Sequence, residues 1–446
     1  MSTDIWVGVA IAAATLIGWA LCIRLLPATL SRLALVFAAA TGLGLCSLLY
    51  VLFRRPLLTV ETLLVIAAVV LLYRRRVELL STHSSRNGFL ALVFAAAIAF
   101  AVFTATIRID RLPHGEWDGW AIWNTHARVL DSTGADWINQ LRTTYHGDYP
   151  LLTPALTARF WKYSESRFVE AGALLGVILG LSAVAVLVGV LSELRGQRVA
   201  LVMGFALIST PLFLEHIGSQ YADAPLSFYN LMTVALICLH AERAPSNKSM
   251  LALAGFAAGC AGWTKNEGLL FIAAVSAVLL LQVILKRSKL TDRLLPFAAG
   301  LLLPLAVIAF FKLNVAVPSD LIVSQSWDSV MKRITDTERY TLTSEYWLET
   351  FWNFGAWSIT PFIPLFVFVG FRGVDRAVFR NAGWQAALLV LATVLVGYFF
   401  VYINTPLDLK YHLDSSLNRL FLHLWPSFLL CIGMCARSDS RPGTVT

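Results

Sequence analysis

The residues able to do chemistry in this 446-residue chain gather in five short polar clusters set between long apolar runs. The first reads Gly115-Glu116-Trp117-Asp118-Gly119-Trp120-Ala121-Ile122-Trp123-Asn124-Thr125-His126-Ala127-Arg128, with Asp118 at its centre. An ionised carboxylate in such a segment can accept a proton from an attacking hydroxyl. It can equally cap a helix that stops near Gly134, and the two roles are compatible. The second cluster, His146-Gly147-Asp148-Tyr149-Pro150, offers His146, Asp148 and Tyr149 as substrate contacts or as plain loop residues. A metal site built from them would lack any recognised ligand spacing, and no metal or other cofactor is expected to be required, although a divalent ion is chemically conceivable there.

The third cluster is Gln220-Tyr221-Ala222-Asp223-Ala224-Pro225, where a proline in the first helical turn favours a capping role for Asp223 over a site role. In the fourth, Lys265 and Glu267 share a tight turn between two apolar runs. Charges at membrane depth are expensive and commonly pair, line a cavity or hold a ligand. The fifth holds Asp414 and, at the expected start of the last helix, Arg419, a cation that could snorkel to headgroups or meet a phosphate on a substrate. Trp117 and Trp123 could form a platform for sugar faces or part of an interfacial aromatic belt.

Apolar helices must position these clusters, because 58% of the residues are hydrophobic and 14% charged, against about 25% charged in soluble domains. Crossing a hydrocarbon core takes about 20 helical residues. Thirteen stretches fit that description, at about 5–23, 33–53, 56–73, 88–107, 169–192, 198–214, 224–240, 249–263, 268–285, 294–311, 357–371, 383–403 and 420–436. The expected fold is an all-α polytopic transmembrane helix bundle forming one membrane domain over residues 1–446. The first stretch lacks the basic flank of a cleaved signal and reads as a retained helix. All six cysteines lie in apolar runs and read as small core residues.

Arg74-Arg75-Arg76, the Lys286-Arg287-Ser288-Lys289 segment with Arg293, the Arg372/Arg376/Arg380 group and the tail with Arg437 and Arg441 all fall on one face, which the positive-inside rule makes cytoplasmic. Arg54-Arg55 falls on the other. Two larger hydrophilic loops, residues 108–168 and 312–356, then emerge outside with short juxtamembrane helices, and all five clusters share that side. The inner-loop cations are scattered as topology requires, and no nucleic-acid partner is expected.

In their order, these motifs resemble the GT-C class of integral membrane glycosyltransferases, within it the group of protein O-mannosyltransferases and the lipid A aminoarabinose transferase. Asp118 with Ala127-Arg128 looks like that group's catalytic acidic motif, and Tyr149-Pro150-Leu151-Leu152 like its proline-containing stretch. Tyr221-Ala222-Asp223-Ala224-Pro225-Leu226 looks like its short acidic motif, and Thr264-Lys265 with Gly268 like its Thr-Lys-Gly turn. The chain departs at Gly119, where many relatives have a second acidic residue, and at Asn266-Glu267, which interrupt the turn pattern.

The resemblance implies a polyprenyl-phosphate sugar donor, a lipid, glycan or protein acceptor hydroxyl and inversion at the anomeric carbon; with the loop charges, the expected site faces the periplasm or exterior of a bacterial inner membrane, amid its lipids. Asp118 would then be the base, with Lys265, Arg128 and Arg419 meeting the donor phosphate. Two rival readings keep the helices and change the activity. A transporter or flippase would place its charges near the midplane, whereas Glu61 is the one acidic residue clearly inside an expected helix. An O-antigen ligase or polymerase would place its main active loop late in the chain.

Overall fold

The computed structural model describes residues 3–54, 56–74, 88–132, 136–285, 289–319 and 325–438. The sequence features at Arg55, Arg75, Arg76, Gly134, Lys286, Arg287, Ser288 and Arg441 lie outside the described residues. Apart from an isolated bridge between Val374 and Ala436, the regular structure among the described residues is helical. The N-terminal helices are α1 (Thr3–Leu25), α2 (Ala34–Leu52), α3 (Leu57–Arg74) and α4 (Gly88–Arg111). Three short ones follow, α5 (Asn124–Asp131), α6 (Trp137–Arg142) and α7 (Leu152–Ser164). The central group comprises α8 (Ala171–Leu194), α9 (Gln197–Ile208), α10 (Pro211–Gly218), α11 (Asp223–Arg243), α12 (Lys248–Thr264), α13 (Glu267–Leu285) and α14 (Leu294–Asn314). The chain continues through α15 (Trp327–Ile334), α16 (Thr337–Asn353), α17 (Phe362–Arg372), α18 (Ala382–Asn404) and α19 (Leu409–Cys435).

Each of the thirteen expected stretches contains a helix, but ten helices are long and apolar enough to cross a membrane, or eleven if one bent pair counts as a span. The count of thirteen is corrected for three local reasons. The stretch at 198–214 is two helices, α9 and α10, bent by 66°. Pro211 supplies no N–H and pushes Thr210 into an extended conformation (φ −69°, ψ 114°), which breaks the run. The helix at 249–263 is 17 residues long and that at 357–371 is 11.

α11 is the centre of the bundle, with every residue from Asp223 to His240 buried, and α8, α12, α18 and α19 pack around it. α12 and α14 meet backbone to backbone: a Cβ at Gly255 would lie 1.9 Å from the Phe297 carbonyl oxygen, and one at Gly300 would lie 1.7 Å from that of Ala252. Small residues allow such an approach in lipid, where packing rather than hydrophobic transfer drives association.

The segment 108–168 is more ordered than a loop. Its α7 is buried from Leu152 to Trp161, and Pro154 is tolerated because it sits in the first turn, where no intrahelical N–H bond is lost. From α7 the buried Arg159 reaches α3, donating from Nε and Nη2 to the two Glu61 carboxylate oxygens at 2.8 Å each. Tyr163 donates to the same carboxylate at 2.5 Å. This pair explains how a glutamate is tolerated inside a span.

Candidate active site

Four chain segments converge at one end of α11. Gln220, in a left-handed conformation (φ 64°), donates from Nε2 to the carbonyls of Pro113 at 2.7 Å and Val169 at 3.1 Å, and its Oε1 accepts from Asn124 at 2.7 Å. The Glu116 N–H donates to the Ser219 carbonyl at 3.2 Å. The segment after α4 is thereby pinned against the loop before α11. A Cβ at Gly119 would lie 2.9 Å from the Ser219 carbonyl oxygen. The glycine that departs from the related pattern is therefore required by this close approach.

Asp118 immediately precedes a π-helical turn, Gly119–Trp123, in which the Asn124 N–H bonds the carbonyl of Gly119. Such turns recur at functional sites. The expected capping role for Asp118 is not realised: it is helical (φ −61°, ψ −34°) and accepts no capping bond. Nor does Asp223 cap, because Ala222 occupies the cap position of α11. Both carboxylates instead turn toward cations.

Arg419 joins them, donating from Nη2 to Asp118 Oδ2 at 2.5 Å and to Asp223 Oδ2 at 2.9 Å, and from Nε to Asp223 Oδ2 at 3.2 Å. Its guanidinium also lies 4.7 Å from the centre of the Tyr221 ring. Arg419 does not open the last helix as its sequence position suggests. α19 begins at Leu409, because the polar stretch after Asp408 is helical and carries Arg419 inward.

Asp223 Oδ1 accepts from Lys265 Nζ at 3.1 Å and from His423 Nε2 at 2.6 Å. Lys265 also pairs with Glu267 at 3.0 Å. Burial pulls the Lys265 ammonium down, but Asp223 and Glu267 outweigh that pull and hold it above its ordinary value. The cluster thus contains three carboxylates and two fixed cations. Asp223 is sealed, whereas Asp118, Arg419 and Glu267 keep 15%, 19% and 24% of their side-chain surface exposed, so the cluster can be reached from the protein surface.

A second polar group adjoins it through the same turn. Asn266, between Lys265 and Glu267, donates to Asp148 Oδ2 at 2.8 Å, and Lys312 donates to the Asp148 carbonyl and to Asn266 Oδ1, each at 2.6 Å. The two residues that interrupt the Thr-Lys-Gly pattern therefore both serve the site.

Beside it runs an aromatic wall. Tyr149 stacks on His146 with ring centres 4.5 Å apart and on Trp123 at 5.6 Å, and burial pushes its phenol well above the ordinary value. Trp117, half exposed, meets Tyr145 edge-on at 5.1 Å. His126 holds the wall from behind, its Nε2 facing the Tyr145 carbonyl at 3.1 Å, and burial lowers its pKa to about 4.

Of the residues expected from sequence, Asp118, Asp223, Lys265, Glu267 and Arg419 come together, with His146, Asp148, Tyr149, Trp117 and Trp123 alongside. Arg128 is exposed on α5 and Asp414 is exposed on α19, toward Tyr346, and neither joins the cluster. His423, Lys312 and Gln220 are site residues that sequence reasoning missed. Among the described residues, no group of three or more His, Cys, Asp and Glu side chains is placed to hold a metal ion.

Residues 94–317, just over half of the chain, match the family model described as dolichyl-phosphate-mannose-protein mannosyltransferase (PMT). The chain belongs to the PMT family. Like that family's members it is an integral, multi-pass membrane protein, in keeping with its ten or eleven candidate spans. The fold is also similar to the crystal structure of ArnT from Cupriavidus metallidurans bound to undecaprenyl phosphate, at 16% identity and a TM-score of 0.49. That alignment covers 79% of this chain and 60% of the ArnT chain, so the PMT-family chain spans about three-fifths of ArnT's length. No curated protein matches the chain. The region shared with the PMT model includes Asp118, Asp148, Asp223, Lys265 and Lys312, while Arg419 and His423 lie beyond its end.

Proposed function

We propose that this PMT-family protein is a glycosyltransferase that moves a sugar from a polyprenyl-phosphate donor to an acceptor hydroxyl on a lipid, glycan or protein, with inversion, at the outer face of a bacterial inner membrane. Membership of the family supports the donor class. The observation that carries the reading is the convergence of Asp118, Asp223, Lys265 and Arg419 at one end of α11, with a half-exposed aromatic wall beside them. Residues 108–168 would form the catalytic outer segment and 312–356 the second outer segment of a single membrane domain.

In this mechanism Asp118 accepts the proton of the acceptor hydroxyl as its oxygen bonds to the anomeric carbon. The bond from that carbon to the phosphate oxygen breaks, and its electron pair leaves with the lipid phosphate. The phosphate gains one negative charge in the step, and fixed cations in a partly dehydrated site stabilise charge as it develops. Lys265 and Arg419 supply them without a metal ion.

The ion pairs set the order of events. Arg419 holds Asp118 at 2.5 Å and occupies one of the carboxylate oxygens that would receive the proton. A donor phosphate drawing on Arg419 loosens that hold and frees Asp118 when there is a bond to break. Asp223, bound to Lys265 and His423 as well, stays behind as the anchor.

Asp118→Asn tests the assignment, since the amide keeps the shape and cannot take the proton. Turnover per folded molecule should fall about 10²- to 10⁴-fold with polyprenyl-phosphate sugar as donor, with thermal stability held. Near-normal turnover in a stable variant would remove Asp118 as the base.

A further inference from the structure

The charge balance of the site singles out a cation that the mechanism has not used. Lys265 and Arg419 are each held by two carboxylates, Lys265 by Asp223 and Glu267 and Arg419 by Asp118 and Asp223. Lys312 differs. Its ammonium, with three protons to donate, makes its hydrogen bonds to two neutral oxygens, the Asp148 carbonyl and Asn266 Oδ1, each at 2.6 Å. One proton remains for another acceptor, while the Asp148 and Glu267 carboxylates act on the ammonium from nearby.

Its setting is not that of a lysine reaching for headgroups. Lys312 lies in the last turn of α14, is half-buried, and turns inward to the turn that carries Lys265 and Glu267. A half-buried ammonium hydrogen-bonded to uncharged oxygens, with the nearby Asp148 and Glu267 carboxylates engaged by Asn266 and Lys265, gains further from an anion that takes its third proton. The Asp148 side chain is partly engaged elsewhere, since its Oδ2 accepts from Asn266 at 2.8 Å. Asn266 links the two halves of the site, and an anion lying across this turn would meet Lys312 on one side and Lys265 on the other.

We propose that Lys312, positioned by Asn266 and the Asp148 carbonyl, is a direct contact to the phosphate of the lipid donor and its principal ground-state anchor. The inference rests on the glycosyltransferase reading and deepens it. It divides the labour among the cations: Lys312 holds the phosphate from binding onward, while Arg419 and Lys265 exchange carboxylates for phosphate as the bond breaks.

Binding of a polyprenyl phosphate without sugar to the purified full-length protein in detergent tests the assignment, alongside turnover and thermal stability. Lys312→Gln keeps a hydrogen-bond donor and removes the charge, whereas Lys312→Arg keeps the charge. The expected result is about 10- to 100-fold weaker binding for Lys312→Gln, the worth of one hydrogen bond to a charged group. Lys312→Arg should stay within a few-fold of the wild type, and both variants should keep their stability. KM should rise in Lys312→Gln more than kcat falls. Equal polyprenyl-phosphate affinity in the wild type and Lys312→Gln would overturn the assignment while leaving the glycosyltransferase reading intact. So would loss of stability in both variants with unchanged binding per folded molecule, which would make Lys312 a structural tie. A wild type that bound no polyprenyl phosphate would overturn both.

Discussion

Two of the groups of buried charges in this bundle are built from similar parts. In one, Arg159 meets Glu61 and Tyr163 between α7 and α3; in the other, Arg419 and Lys265 meet Asp118, Asp223 and Glu267 at the end of α11. The first is closed. Both members of its ion pair are 0% exposed and their charges balance, although Arg159 Nη1 finds no acceptor. The second has more carboxylates than fixed cations and is accessible through Asp118, Arg419 and Glu267. Ionic pairing under apolar helices therefore does not mark a site by itself. The candidate site differs in combining unequal charge with access.

A crossed pair of substitutions should break that comparison if it is wrong. Glu61→Gln strands a buried guanidinium and should cost about 3–5 kcal/mol of stability in thermal denaturation, leaving turnover per folded molecule unchanged. Asp118→Asn should do the reverse. A Glu61→Gln protein that folded normally and lost turnover would join the two groups functionally.

Asp223→Asn sharpens the contrast from within the open cluster. It removes charge from the hub that holds Lys265, His423 and Arg419, so both stability and turnover should fall, and adding donor should not restore the rate. Full silencing of a stable Asp223→Asn protein, with Asp118→Asn still active, would transfer the base to α11.

Gly119→Ala tests the pinning of the two loops. The added methyl must push on the Ser219 carbonyl at 2.9 Å, and overpacking typically costs about 1–3 kcal/mol. Melting temperature and turnover should drop together, since the same contact sets the separation of Asp118 and Asp223.

The smallest effect concerns pH. His126 has its pKa lowered to about 4 by burial, below an unfolded value of about 6.5, so its contribution to stability is present above pH 6.5 and lost as pH falls toward 4. Protonation would place an N–H on Nδ1, which is buried without a partner. The melting temperature of His126→Gln should therefore depend less on pH between 6.5 and 4 than that of the wild type, and an unchanged slope would show that His126 is accessible to protons.

The legible parts of the site were those in which charge interrupts apolar sequence near a helix end. Asp118, Asp223, Lys265, Glu267 and Arg419 all qualify, and the order of the motifs that hold the first three pointed to the right superfamily. His423 was not legible, because a single polar residue inside an apolar helix looks the same whether it meets lipid or a carboxylate; Lys312 was not, because it opens the expected loop 312–356 and reads there as an ordinary helix-end cation. Arg159 was hidden differently. It lies in a stretch with Pro150, Pro154 and Lys162 that reads as loop, and its partner on α3 is 98 residues away. Span counting failed where the chain is broken or short: Pro211 divides one stretch, and α17 is too brief to cross alone.

The π-helical turn at Gly119–Trp123 bears on how this sequence can change over evolutionary time. It holds one residue more than an α-helical turn would, and each helical residue advances the direction of its neighbours by about 100°. A single-codon deletion there could leave a regular helix, more comfortable by local rules than the present one. Yet Asp118 and the face bearing Asn124 and His126 would be rotated against each other, and no substitution nearby could restore both alignments. Lineages that keep the activity should therefore tolerate exchanges of residue type at Trp120 and Ala121 while rejecting any change in the number of residues in the turn.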